Sequence, residues 1–458
     1  MIRRLATLVV LAAGAARAQA PVKPDTARLT LQASLARAER EATPVLLSQD
    51  SLKVSGARVL ESYGRFLPAA AAGGGALLAQ GTTLLSSTAL EASDARWRSA
   101  SLQLSTALNL FNGFRDQAAL HAATLGRDAA TFSLTRARQI VVFDALQSFL
   151  QVVLDRRLAE VSRANLRLST TRQSQFEEQV RIGTRAPPDL YRQRAQSATD
   201  EAAVIDADTR VEADLLALVR RLRLEPAQTL TVEEPALDTT LVPEDSLALD
   251  ALLARARRDR GDLAAAIART AAADEGVKEA RSLFLPRVVV GADFIAAGRV
   301  YDWERQHGVS TLGTVDQRPL DSQLGRQGLG VYSIGVSVPL FDRYESQAQI
   351  EQAKAVAHQS ALAAEDLRIR IESDVRQARD EYVAAIARSR AAAANVEAAE
   401  EAYTAVSGRF DVGLATFVDV IGAQSALTYA RAQREQSTVN LALSKSVLRF
   451  VTGAPLQP

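Results

Sequence analysis

The sequence predicts a mainly α-helical chain with a small β part, internally duplicated. Its long helices are expected to form a helical cylinder, and its strands to contribute to a β-barrel shared between chains. Three observations carry this reading. Four sequence anchors recur in the same order in both halves. Two stretches of about seventy residues, 113–182 and 343–411, lack proline and carry apolar stripes at helical spacing. Four shorter stretches suit strands, and four strands are too few to close a barrel, since the smallest have about 8.

Composition sets the frame. The 458 residues are 47% apolar and 23% charged, with only 5% aromatic side chains. Alanine is abundant, and it is the best helix former. The formal charge is +1; beyond residue 20 the chain holds 51 basic and 53 acidic residues. That balance gives no electrostatic case for a nucleic-acid partner. The absence of cysteine excludes disulfides, cysteine metal sites, thiol catalysis and a lipid anchor on an N-terminal cysteine.

Residues 1–20 have the form of a signal peptide. Arg3 and Arg4 precede a twelve-residue apolar run, Leu5 to Ala16, and Ala18-Gln19-Ala20 forms a small-x-small cleavage site before Pro21. The run is too short to span a bilayer, which needs about 20 apolar residues. No other stretch has eighteen uncharged apolar residues, so no helical span is expected, and a β-barrel remains open to an exported chain.

The repeat is the most informative feature. Residues 29–41 (LTLQASLARAERE) and 247–259 (LALDALLARARRD) agree at eight of thirteen positions, at an offset of 218. Phe66-Leu67-Pro68 matches Phe284-Leu285-Pro286 at the same offset. Leu110-Phe111-Asn112-Gly113 matches Leu340-Phe341-Asp342-Arg343 at an offset of 230, as Gly183 and Asp189 match Gly413 and Asp419. The change of twelve places an insertion between Pro286 and Leu340. The expected organisation is a first repeat at 21–224, a connector at 225–245 marked by Pro226, Pro235 and Pro243, and a second repeat at 246–458.

Each repeat opens with a helix, expected at about 29–62 and 246–283. Strands follow. Tyr332, Ile334, Val336, Val338 and Leu340 alternate with small and polar residues, as do Leu102, Leu104, Thr106, Leu108 and Leu110. Residues 286–294 also alternate, whereas the stretch near 66–80 is mostly Ala and Gly. Two hairpins of roughly ten-residue strands result, with loops at about 81–96 and 299–328. An open edge facing lipid is not tolerated, so membrane strands would require several chains; a small soluble sandwich satisfies the pattern too. In the long helices, Leu367, Ile371, Val375, Ala378, Tyr382 and Ile386 form one stripe. Two neighbouring stripes start at Ile140 and Val142. Two stripes suit a helix with neighbours on both sides, or a coiled-coil rod. The helices reverse at Gly183 and Gly413 and return over about 187–223 and 415–452, with Pro187 and Pro188 in the first turn.

With these elements in place, the chain resembles the TolC-like outer membrane efflux family over nearly its whole mature length. LTLQASLARAERE resembles the family's opening helix. SLQLSTALNLFNGF and SIGVSVPLFDRYES resemble its strand-to-helix junctions, and RFDVGLATFVDVIGAQSAL its helix turn at the tube tip. The resemblance implies a homotrimer with a twelve-stranded barrel in outer-membrane lipid and a helical tunnel through the periplasm. It implies docking onto a periplasmic adaptor (membrane fusion) protein and an inner-membrane pump of the RND or ABC type. The function so implied is passive conduction of exported substrates, as the outer-membrane part of a tripartite efflux or type I secretion system. No catalytic centre, cofactor or metal is expected.

The resemblance also implies a tip formed by the turns Gly183, Thr184, Arg185 and Gly413, Leu414, Ala415. Asp419 matches an acid that rings the constriction, and Asp189 is its repeat partner. Three such carboxylates around an axis would favour cations, and crowding would raise their pKa values. The family's second ring acid falls on Gly422 here. Its tip arginine is replaced by Leu414-Ala415, and Arg185 stands in the first repeat instead. For both aspartates the plain alternative is an acid in the first turn of a helix, favoured by the helix dipole.

Other signals are weaker. His121, His307 and His358 have no metal-ligand spacing. Gly73-Gly74-Gly75 lacks the following Lys-Ser/Thr of a phosphate loop. Trp97 and Trp303 suit a membrane interface. Two other readings stay open: a periplasmic coiled-coil scaffold or adaptor with a small β domain, and a hydrolase on a helical frame.

Overall fold

The computed structural model describes residues 27–84, 92–225, 230–243, 247–305 and 318–455. The first part of the chain forms β1 (Ala27–Leu29), α1 (Leu31–Glu41), α2 (Thr43–Gly64), β2 (Ala69–Leu84), β3 (Ala92–Phe111), α3 (Arg115–Arg181) and α4 (Pro187–Arg221). The second forms β4 (Leu230–Val232), α5 (Leu249–Asp259), α6 (Gly261–Arg281), β5 (Arg287–Arg305), α7 (Leu320–Arg326), β6 (Gly328–Ser337), α8 (Glu345–Asp411) and α9 (Phe417–Val451). Helices α3 and α8 are both 67 residues long, and α4 and α9 both 35. The expected signal peptide lies outside the described residues.

The opening helices are not continuous, contrary to expectation. The first breaks at Ala42, which is extended, and α2 restarts with Pro44 in its first turn. Proline has no N–H to offer a preceding turn, so it starts a helix better than it continues one. The second breaks at Arg260, also extended. There Gly261 comes so close to α3 that a Cβ would stand 2.8 Å from the Phe132 carbonyl oxygen.

Strands β2, β3, β5 and β6 form one antiparallel sheet in that order. Three are longer than the ten residues expected, at 16, 20 and 19, and β6 has ten. The weakly patterned Ala/Gly stretch is a full strand, β2. The loops are correspondingly shorter than 81–96 and 299–328, and the second contains α7. Trp97 and Trp303 lie within β3 and β5 rather than beside them. One face of the sheet carries Leu102, Leu104, Phe294, Ile334 and Val336, and the other Ser101, Gln103, Ser105 and Ser333. Every residue of β6 is exposed, Tyr332 at 86% and Ile334 at 70%. Among the described residues, both outer strands, β2 and β6, have one unpaired edge.

Beyond the start of β6, a side chain completes the ladder. The Gln323 amide of α7 donates to the Arg299 carbonyl (2.9 Å), and its oxygen accepts from the Arg299 N–H (2.8 Å). It stands where a strand's peptide group would, and so satisfies an otherwise open edge.

The strand-to-helix junctions are built alike. Asn112 Oδ1 accepts from the Asp116 N–H (3.4 Å), and Asp342 Oδ2 from the Ser346 N–H (2.8 Å). Phe111 and Phe114 meet edge to face at 5.3 Å, as Phe341 and Tyr344 do at 5.7 Å. This is what the Leu-Phe-Asn-Gly anchor encodes: an acceptor for free helix donors and an aromatic clasp at the corner.

The core lies along the middle of the helices. One cluster gathers Leu35, Phe149, Val152 and Leu218; a second gathers Leu253, Val375, Tyr382 and Leu448. Helix α3 contains an 18-residue window with mean hydropathy 1.3, long and apolar enough to cross a membrane, although no such helix is expected from the sequence. Its apolar residues from Leu146 to Leu154 lie inside the first cluster, so packing accounts for them. The connector is tied down at several points. β4 pairs in parallel with β1. The Val242 N–H donates to the buried Tyr382 Oη (2.9 Å). Lys445 Nζ donates to Asp238 (2.7 Å) and to the Thr240 carbonyl (2.8 Å), and Lys445 holds the Asp238 carboxyl down at about 2.

Candidate channel constriction at the helix turns

Both long helices end in the same hydrogen-bonded turn. Gly183 (φ 78°) and Gly413 (φ 76°) occupy the left-handed region, where a Cβ would be strained. Around Gly183, the Thr184 N–H donates to the Gln179 carbonyl (2.9 Å) and the Gly183 N–H to Val180 (3.1 Å). Around Gly413, Leu414 donates to Arg409 (2.7 Å) and Gly413 to Phe410 (3.0 Å). This paired bonding satisfies the last carbonyls of a helix and reverses the chain.

The returning helices start differently. Pro187 and Pro188 open α4, whereas Thr416 caps α9. Asp419 Oδ2 accepts from the Thr416 N–H (2.8 Å) and hydroxyl (2.7 Å), and the Asp419 N–H donates back to Thr416 Oγ1 (3.3 Å). These donors, with a smaller contribution from the Arg409 charge, hold the Asp419 carboxyl below its ordinary value. The direction within one chain is thus opposite to that expected from crowding of several carboxylates. Asp419 remains exposed.

Asp189 occupies the equivalent place in α4 but pairs with Arg185 (3.3 Å). Arg185 is the organising residue of the turns. Its Nε donates to Gln179 Oε1 (2.6 Å), and its guanidinium lies over Phe176 (4.1 Å) and Phe410 (4.7 Å). Phe417 packs 5.6 Å from Phe176, so both turns share one aromatic cluster beneath Arg185. Leu414 projects at 68% exposure, Ala415 is half-buried, and the position of a Cβ on Gly422 meets open space.

One element of this region has no counterpart in the sequence reading. Above the turns, Arg172 donates to Gln424 Oε1 (3.0 Å) and Tyr403 Oη (2.8 Å), and Gln424 donates to Asn165 (2.9 Å) and Ser169 Oγ (3.2 Å). Ser169 in turn donates to Asp200. This buried network joins α3, α4, α8 and α9. Its only trace in the sequence is polar residues where the apolar stripes would continue.

An open-edged sheet with an apolar face, set on helices of this length that reverse at glycine turns, defines a class: a chain with the fold of outer-membrane channel proteins. Residues 252–454 match the family model described as outer membrane efflux protein. Three solved structures are similar. VceC of Vibrio cholerae, an outer membrane protein, has a TM-score of 0.77 at 18% identity, covering 93% of this chain and 96% of its own. CusC has 0.78 at 14%, covering 93% and 92%. The CmeC outer membrane channel of Campylobacter jejuni has 0.74 at 15%, covering 92% and 85%. No curated protein sequence matches the chain. The resemblance to the TolC-like outer membrane efflux family holds, in sequence over the second repeat and in fold over nearly the whole chain.

Proposed function

We propose that the chain is the outer-membrane channel of a tripartite efflux or type I secretion system. It conducts substrates passively from a pump to the cell exterior. One observation carries the reading: a four-stranded sheet with an exposed apolar face and two unpaired edges. Such a sheet is stable in lipid only when other copies close it into a barrel. Three copies would supply twelve strands, the number the family resemblance implies. Helices of 67 residues, about 100 Å at about 1.5 Å per residue, have the reach to carry the conduit across the periplasm. The turns around Gly183 and Gly413 then form the tip that meets an adaptor and an inner-membrane pump of the RND or ABC type. Asp419 and Asp189, in the first turns of the returning helices, would line that opening.

Cell fractionation and reconstitution of the purified protein in planar bilayers test this. Recovery with outer-membrane lipid and discrete single-channel conductance are expected. A soluble periplasmic monomer without conductance would overturn the reading and leave a scaffold or adaptor in its place.

A further inference from the structure

Where the sheet meets the helices, its two faces lead into two different crevices. The polar face runs through Asn109, Arg287 and Ser337 into a crevice where Arg65 and Arg115 both pair with Glu279 (3.9 and 3.2 Å). The apolar face runs through Leu110 and Phe111 to Phe114, whose ring meets Phe111 edge to face. Next to Phe114 lies the second crevice, of about 400 Å³, between the start of α3 and the end of α6. Phe114 and Leu285 give it apolar walls, and His121, Glu275, Lys278 and Arg281 line it with charge.

The charges of this second crevice do not cancel. Lys278 pairs with Glu275 (2.7 Å), and His121 Nδ1 stands 4.0 Å from the same carboxylate. The Arg281 side chain is exposed and makes no ion pair or hydrogen bond among the described residues. One carboxylate therefore faces two permanent cations and a histidine. Arg281 keeps its planar set of N–H donors for an anion, and that geometry matches a phosphate.

The duplication shows that the corner itself does not require these cations. At the repeat offsets, Phe114 corresponds to Tyr344 and Leu285 to Leu67, so the apolar walls are kept. Lys278 corresponds to Leu60, Arg281 to Tyr63 and His121 to Glu351, so the cations are not. A basic residue in the last turn of a helix also complements its dipole. Helix α6 has two, yet its counterpart α2 ends with none. Neither the turn nor the helix end accounts for the charge.

We propose that this crevice binds the phosphodiester headgroup of a membrane phospholipid. The proposal rests on the membrane reading above and deepens it by naming a lipid ligand. Arg281 and Lys278 hold the phosphate, and the acyl chains lie along Phe114, Leu110 and the apolar face of the sheet. The depth suits a headgroup. Exposed aromatic residues gather at this end of the sheet: Phe114 at 62%, Phe341 at 73% and Tyr344 at 69%. Aromatic residues of this kind mark the border of an apolar band, so a crevice beside them on the helical side lies among headgroups. The helices adjoin this end, which makes the leaflet the periplasmic one. A soluble phosphate would use the cations alone, whereas a phospholipid uses the apolar walls as well.

Native mass spectrometry of the purified protein in detergent tests this, with dioleoyl phosphatidylglycerol as the probe and dioleoylglycerol, which lacks the phosphate, beside it. The wild-type protein should retain the phospholipid and not the diacylglycerol. Lys278→Gln combined with Arg281→Gln should weaken retention about tenfold, the net effect of losing one charge-assisted hydrogen bond. Arg281→Lys should keep part of it, and Arg287→Gln, which removes a charge from the opposite face, should change nothing. Arg281→Gln alone takes the place of the double variant if the latter does not assemble. Equal retention of the two lipids, or equal retention of the phospholipid by wild type and variant, would overturn the site. Displacement of the phospholipid by inorganic phosphate at the same concentration would make it a site for a soluble anion and overturn the lipid assignment. Conductance of the same preparations in planar bilayers separates the two readings. A channel that conducts without lipid preference counts against this site alone, whereas a wild-type protein without conductance counts against the membrane reading.

Discussion

Arg185 lays its guanidinium over the ring of Phe176, 4.1 Å from the ring centre. The contact joins two ends of the same turn, and the second ring at 4.7 Å, Phe410, brings in the other repeat. A cation held over aromatic rings contributes about 0.5–2 kcal/mol, depending on desolvation. The Arg185 side chain is only 18% exposed, which favours the upper part of that range. Arg185→Ala is expected to cost about 1–2 kcal/mol locally. Amide exchange should quicken through residues 176–190 and stay unchanged in the middle of α3. Arg185→Lys should restore part of the protection, since a lysine keeps the charge but not the planar fork. Unchanged exchange at the turns in Arg185→Ala would remove this residue from the account.

Asp419 serves its own helix through Thr416, and in an assembled channel the same carboxylate would face the opening. The two roles separate by mutation. Thr416→Ala removes the cap, at about 1 kcal/mol, and keeps the charge. Asp419→Asn removes the charge. If the pore role holds, Asp419→Asn lowers the cation-over-anion preference in single-channel recordings and Thr416→Ala does not. Because the Thr416 donors depress the Asp419 pKa, the charge and the preference should persist at pH 5. They should fade only as the pH falls through a value below the usual carboxylate range. A preference indifferent to Asp419→Asn would leave the residue a helix cap.

What could be read in the sequence follows from which constraints are local. The reversals at Gly183 and Gly413 were legible because a left-handed helix end favours glycine on local grounds, and a Cβ on either would meet only open space. The long helices were legible to within two residues because proline-free stripes of that length have no competing reading. The break at Ala42 did leave a signal, Pro44, which suits a first turn. The break at Arg260 left none, because its cause is the approach of Gly261 to Phe132 across the fold. Strand β2 was obscure because alanine and glycine on both faces cannot alternate. The Arg172–Gln424 contact joins residues 252 positions apart, and Gln323 substitutes for a strand from within a loop-like stretch. Neither has a local signature.

Asp155 sits buried on α3 with Asp214 of α4 as its neighbour. Burial, then the shared hydrogen bond with Asp214, pushes its carboxyl up to about 6. The folded state therefore holds this proton more tightly than the unfolded chain. The associated stability is complete below about pH 4 and is lost as the pH rises through about 6. At pH 7.5 an ionised Asp155 works against the fold. Asp155→Asn should stabilise the protein there by on the order of 1–2 kcal/mol and have little effect at pH 4. Denaturant unfolding of both proteins at the two pH values measures the difference. An equal effect at both would show that the carboxyl does not titrate in this window.

Gly113 and Arg343 hold equivalent places at the strand-to-helix corners, with φ values of 70° and 57°. Only the first is closely packed within the chain. A Cβ on Gly113 would stand 2.7 Å from Leu285 Cβ and 2.9 Å from the Ser282 carbonyl oxygen. Gly113→Ala therefore combines left-handed strain with overpacking, and a loss of about 2–3 kcal/mol is expected. Arg343 already carries a side chain at a left-handed position, so Arg343→Gly removes strain worth about 1 kcal/mol. Part of that gain is offset by the greater freedom of glycine in the unfolded chain. The two changes should thus act in opposite directions: Gly113→Ala lowers the midpoint of thermal unfolding, and Arg343→Gly leaves it unchanged or raises it. A clear loss in Arg343→Gly would mean that the Arg343 side chain makes a stabilising contact that outweighs its left-handed strain.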